Sequence, residues 1–149
     1  MGETVGYMLT WTTYGSWLQG DNRGYVKDGK ILSAKAGLER ANMMLRKRDA
    51  VKLQRAEREV AKKAILAEAE RIGEKVLAIL VWSSHVHVVV GAGGKAVGKV
   101  VRQFKLAGYH ALRKYGFEGR VWTRGYDTRF CFDEKALKGR IGYVMRHKG

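Results

Sequence analysis

The apolar and polar positions change period several times along the chain, and each change predicts an element. "TVGYMLTWTT" (Thr4–Thr13) is apolar, β-branched and aromatic, which predicts a strand. "YGSWLQGDNRGYVKDGK" (Tyr14–Lys30) is polar and punctuated by glycine, which predicts a loop. From about Ser33 to Ile72 the chain is dominated by Ala, Leu, Glu, Lys and Arg, all strong helix formers. Ala56, Val60, Ala64 and Ala67 are spaced as one helical face; a break near Asp49 would divide the segment, and Gly73 would stop it. "KVLAILVWS" (Lys75–Ser83) and "HVHVVVG" (His85–Gly91) read as strands so close that only a tight hairpin can join them. A second helix fits Lys95 to Tyr115, with Val97, Val100, Val101, Phe104, Gly108 and Ala111 on one side. "RVWTRGYDTRFCF" (Arg120–Phe132) alternates like a strand with a turn or bulge at Gly125. Asp133 suits an N-cap and Glu134 a first turn, opening a last helix that runs to about His147.

The resulting order is β-α-β-β-α-β-α. Its first six elements form a split βαβ unit. The predicted class is α+β: a ferredoxin-like, RRM-like antiparallel sheet with an extra C-terminal helix. A length of 149 residues suits one domain over 1–149.

Composition narrows the function. Twenty-nine Lys and Arg against fourteen Asp and Glu give a net charge of +15, which points to a polyanionic partner, most often nucleic acid. Four Trp and seven Tyr stand among these cations, and flat side chains beside cations suit unpaired bases. No segment approaches the ~18 consecutive apolar residues of a membrane span. Residues 1–20 lack the pattern of a secretory signal, and the single cysteine, Cys131, has no internal disulfide partner. A cytoplasmic protein with no membrane partner is the expectation.

The candidate chemistry begins with "HVH". Residues i and i+2 of a strand point to one side, so His85 and His87 share a face while Val86, Val88 and Val90 take the other. The valines suit a helix-packed core. The two imidazoles could be surface side chains with ordinary hydrogen bonds, or could grip one divalent cation from a rigid strand. The last helix carries "GRIGYVMRH". With Leu137, Ile141 and Val144 at the centre of its apolar stripe, Tyr143 and His147 fall together on a flank roughly 100° away. That position suits a tyrosine presented beside a metal ligand, or one lying half-buried on the sheet. A neutral phenol is a weak nucleophile near pH 7, and a nearby cation favours the phenolate. A metal would also orient a scissile phosphate and stabilise the charge that develops on it. Metal plus tyrosine therefore predicts phosphoryl transfer through a covalent phosphotyrosine, which conserves bond energy and allows the strand to be rejoined. Lys95, Lys99, Arg102 and Arg113 project onto one stripe of the second helix. They are expected beside the site, where they would hold phosphates, although a solvated helix face is the ordinary alternative.

At these residues the sequence resembles the HUH single-tyrosine transposases of bacterial insertion sequences, and within them the REP-associated tyrosine transposase branch. The resemblance rests on "HVHVVV" after an apolar strand and on "YVMRH" in a terminal helix. The opening "LTWTTYGSWLQGDNRGYV" is also similar to that branch. It covers roughly Val5 to His147. It implies that His85 and His87 are metal ligands. It also implies that Tyr143 is the nucleophile that attacks single-stranded DNA, bonds to the 5′ phosphate and leaves a free 3′-OH. The family's third ligand lies four residues after the tyrosine and is usually Gln or Asn; His147 holds that position here, and a nitrogen-rich set favours transition metals. The implied cofactor is Mg²⁺ or Mn²⁺, and the implied partner is single-stranded DNA bearing a hairpin. The branch carries a "YIHxNP"-like motif whose proline is missing here. Trp17 in the opening loop suits stacking on a base, or anchoring the loop to the core, and Arg23 suits a phosphate. Some relatives act as homodimers that exchange the tyrosine helix and others as monomers, and both states stay open. The competing reading is a non-catalytic RRM-like module that holds single-stranded DNA or RNA, although no RRM-type aromatic strand motif is present.

Overall fold

The computed structural model describes residues 3–16 and 50–146. Seven elements follow the predicted order: β1 (Gly6–Thr12), α1 (Arg55–Ile72), β2 (Val76–Val81), β3 (His85–Gly91), α2 (Val97–Tyr115), β4 (Asp127–Cys131) and α3 (Glu134–Arg146). The sheet is antiparallel throughout, with strand order β2-β3-β1-β4. That order is the ferredoxin-like arrangement expected from the split βαβ pattern. Among the described residues no helix is long and apolar enough to cross a membrane.

The sheet separates two apolar layers of unequal size. On one face Tyr7, Leu9, Trp11, Val86, Val88 and Val90 meet the buried sides of α1 and α2, including Ile65, Val100 and Phe104. On the other, Met8, Ala78, Val89 and Cys131 meet Leu137 and Val144 of α3. This division fixes the parity of β3. Val86, Val88 and Val90 are fully buried, each contributing roughly 1.5–3 kcal/mol, so a one-residue slip that exposed them would be severely destabilising. The histidines are thereby held on the α3 face.

Several boundaries differ from the pattern-based expectation. Residues 50–54 are not helical. The Val51 N–H donates to Tyr14 O and the Leu53 N–H to Ser83 O, so this stretch is pinned beside the β2–β3 turn. The helix starts at Arg55, where the Glu57 carboxylate accepts from the Gln54 N–H at 2.8 Å. Its buried residues are Ala61, Ile65 and Ala69; Ala56 and Ala67 are exposed. The Ala-rich pattern set the face one position off, and the bulk of Ile65 decides it. The expected strand over 120–132 shortens to β4. Residues 120–126 form a connection in which Trp122 makes one isolated bridge to Thr13, and Gly125 takes φ 90°.

Candidate active site

Antiparallel pairing determines which side chains share the α3 face. His85 faces Thr12, His87 faces both Thr10 and Leu80, and Thr10 faces Asp127. Cross-strand partners point the same way. A row of Leu80, His87, Thr10 and Asp127 therefore crosses the sheet, with His85 and Thr12 one step along.

Two hydroxyls hold the imidazoles. Buried Thr10 places Oγ1 2.9 Å from His87 Nδ1, and Ser84 in the hairpin turn places Oγ 3.4 Å from His85 Nδ1. The two rings lie 4.9 Å apart, centroid to centroid, nearly edge to face. α3 then brings Tyr143. Leu137 and Val144 are buried against the sheet and Ile141 packs beside them, so the flank that carries Tyr143 sits at the helix margin. The Tyr143 ring stands 5.7 Å from the His87 ring at 79°, and is 43% exposed. The structure thus gathers His85, His87 and Tyr143, drawn from a strand and a helix more than fifty residues apart in sequence. His87 is shielded while the Tyr143 side chain reaches solvent.

Two imidazoles on one strand are donors of the kind a divalent transition-metal cation takes. Both have a hydroxyl at Nδ1, which leaves Nε2 as the nitrogen that could meet a cation. Among the described residues no three His, Cys, Asp or Glu side chains are grouped for a metal ion. The expected third ligand, His147, lies outside the described residues, as do Trp17 and Arg23. Burial pushes the Cys131 thiol pKa up, which marks Cys131 as a core contact rather than a nucleophile.

The basic stripe is exposed but is not beside the histidines. Lys99, Arg102 and Arg113 lie on α2, and Lys95 in the bend before it. Because Val100, Val101 and Phe104 pack on the valine face of β3, the sheet stands between this stripe and His85, His87 and Tyr143. Arg113 also turns back on its own helix, donating to Tyr109 Oη at 3.0 Å.

Two residues in the row of His87, namely Thr10 and Asp127, were missed in the sequence. Thr10 was legible in principle: within "YMLTWTT" the hydroxyls at 10 and 12 alternate against Leu9 and Trp11, which marks a polar face. Asp127, whose Oδ2 accepts from Arg129 Nε at 3.0 Å, carried no signal before strand order placed it in the His87 row.

The chain thus presents a split βαβ sheet with a histidine pair on the face that α3 partly covers and a helix tyrosine against it. No protein-family model and no curated protein matches the chain. Solved structures do match. A REP-associated tyrosine transposase bound to a REP hairpin is 12% identical with a TM-score of 0.53, covering 97% of this chain and 67% of that one. A candidate transposase from Deinococcus radiodurans R1 is 13% identical with a TM-score of 0.55, covering 100% of this chain and 95% of that one. This chain has the fold of these transposases.

Proposed function

We propose that this protein is a metal-dependent enzyme that nicks and rejoins single-stranded DNA at hairpin-bearing sites. It is a transposase, or a domesticated one, formed by a single HUH domain over residues 1–149. The observation that carries the reading is the approach of Tyr143 to His87, on the sheet face that also holds His85. Tyr143 Oη gives up its proton to water and attacks the scissile phosphorus. The bond from phosphorus to the 3′ oxygen breaks, a 3′-OH leaves with a proton from water, and the 5′ phosphate stays on the tyrosine. Attack by a 3′-OH on that ester reverses the step and joins strands. His85, His87 and His147 would hold a divalent cation, Mg²⁺ or Mn²⁺, which would supply positive charge at the scissile phosphate. The net charge of +15 favours the DNA partner. The fold shared with a transposase bound to a hairpin supports the choice of substrate.

A labelled single-stranded hairpin oligonucleotide incubated with Mn²⁺ tests the reading. The parent protein is expected to form an adduct that survives denaturation, and Tyr143→Phe to form none while still binding the DNA. Equal adduct yields from both proteins would remove Tyr143 from the nucleophile's role. Binding that ignores chelation, with no adduct on any strand, would instead indicate an RRM-like binding module.

A further inference from the structure

On the side of the sheet away from the histidines, α2 and residues 120–126 enclose a cleft of about 540 Å³. We propose that it is a pocket for one unpaired nucleobase and its adjoining phosphate. The proposal rests on the DNA reading above only for the source of the ligand.

The cleft has a fixed shape. Its floor is Trp122, whose indole N–H donates to Lys105 O at 2.9 Å. Gly108 lets that ring approach α2: a Cβ there would lie 3.0 Å from the Trp122 ring. Lys105 Nζ donates to Thr123 O at 2.8 Å and to Gly125 O at 3.0 Å, which ties the far wall to the helix. Burial pushes the Lys105 pKa down. The wall is fixed from behind as well, because Thr123 Oγ1 donates to Thr13 O at 2.7 Å.

The lining selects a chemical class. Arg102, Lys105 and Arg120 contribute three cations, and among the described residues no carboxylate lines the cleft. Its apolar surface includes Leu106 and Tyr126, which are 41% and 44% exposed at the rim. A flat, apolar body joined to an anion fits this combination, and a nucleotide unit is that body. The volume lies within the ~300–1,000 Å³ of sites that bury small ligands. An apolar peptide would leave the cations uncompensated.

Position adds a consequence. Tyr126 faces α2, with its hydroxyl 3.4 Å from where a Cβ on Gly98 would stand. The next residue, Asp127, points to the opposite face in the row of His87. One residue of chain at the β4 edge thus separates the cleft from the catalytic face. His87 is two strand spacings further in, roughly 10 Å. A single strand gripped in the cleft would pass around this edge to reach Tyr143, so gripping and cutting would use opposite faces of one sheet.

Leu106→Glu and Tyr126→Ala, both at exposed positions, test the pocket with a labelled single-stranded oligonucleotide and a series of the same oligonucleotide carrying one abasic site. Each variant is expected to bind about tenfold more weakly, the loss of one stacked base. One abasic position should cost the parent the same factor and cost Tyr126→Ala nothing more. Free thymidine monophosphate identifies the source. If it displaces the strand from the parent and not from Tyr126→Ala, the pocket accepts a free nucleotide; if it does not compete, the pocket serves the strand. Unchanged affinity in both variants would overturn the proposal. Weaker binding without any base-sensitive position would also overturn it, leaving only a charged surface. Adduct formation through Tyr143 is scored separately, so either the pocket or the nicking activity can fail alone.

Discussion

Thr10 Oγ1 lies 2.9 Å from His87 Nδ1, and this bond between neighbouring strands is buried. The hydroxyl can accept from Nδ1–H or donate to a bare Nδ1, and the first arrangement leaves Nε2 unprotonated for a cation, so this bond bears on which tautomer the site offers. Thr10→Val keeps the shape and removes the hydroxyl. It is expected to weaken Mn²⁺ binding by about 10–100-fold, the usual cost of losing a supporting hydrogen bond, while Thr10→Ser restores it. The ¹⁵N shifts of His87 in the metal-free protein report the same event without activity. A Thr10→Val protein with the parent's tautomer and the parent's Mn²⁺ affinity would show that Thr10 only packs.

The exposed cations of α2 lie across the sheet from the histidines, so under the proposed function they would hold DNA without taking part in cleavage. Lys99→Ala is expected to reduce the slope of log affinity against log salt by about 0.7, the share of one phosphate on a single strand. Adduct formation at saturating DNA should be unchanged. A salt titration of oligonucleotide binding measures the slope. An unaltered slope would place Lys99 in ordinary solvent contact, and a lost adduct would place α2 nearer the chemistry than the fold allows.

What was legible and what was not divide along a physical line. The face of His85 and His87 followed from strand alternation, because the valines between them had to be buried. The stop at Gly73 was legible because a helix often ends in a left-handed residue, and Gly73 has φ 78°. The layer of each helix was not legible. Periodicity shows that α2 and α3 each have an apolar face, but not which side of the sheet each covers. The stripe of Lys95, Lys99, Arg102 and Arg113 was accordingly expected beside the histidines. The face of α1 was off by one position because alanines are tolerated both in and out of the core, so they carry little orientation.

The Asp133 cap was read correctly from sequence and has a measurable weight. Its Oδ1 accepts from the Ala136 N–H at 2.7 Å, satisfying an otherwise unpaired donor at the start of α3. Asp133→Ala is expected to cost about 1 kcal/mol, and Asp133→Asn much less. Because α3 positions Tyr143, fraying of its first turn should also lower the adduct yield without abolishing it. Thermal unfolding checks the first effect and the adduct assay the second. A Tm equal to the parent's in Asp133→Ala would mean that packing of Leu137 and Val144 alone fixes the helix.

Tyr7 supplies a pH test. Its ring is buried and touches Phe130, with centroids 6.2 Å apart, and its hydroxyl has no hydrogen-bond partner among the described residues. Burial, and secondarily the Glu74 carboxylate, pushes its pKa from 10.0 to about 12. The folded protein therefore keeps a proton that the unfolded chain releases first. The stability tied to this group is whole below about pH 10 and is lost as the pH rises toward about 12. Tyr7→Phe retains the ring contact and removes both the titration and the unpaired hydroxyl. At neutral pH it is expected to be neutral or to stabilise by up to about 1–3 kcal/mol, the cost of an unsatisfied buried group. Between about pH 8 and pH 11 the parent should lose more stability than Tyr7→Phe, as measured by urea unfolding at both values. Equal losses in the two proteins would show that the alkaline transition arises elsewhere.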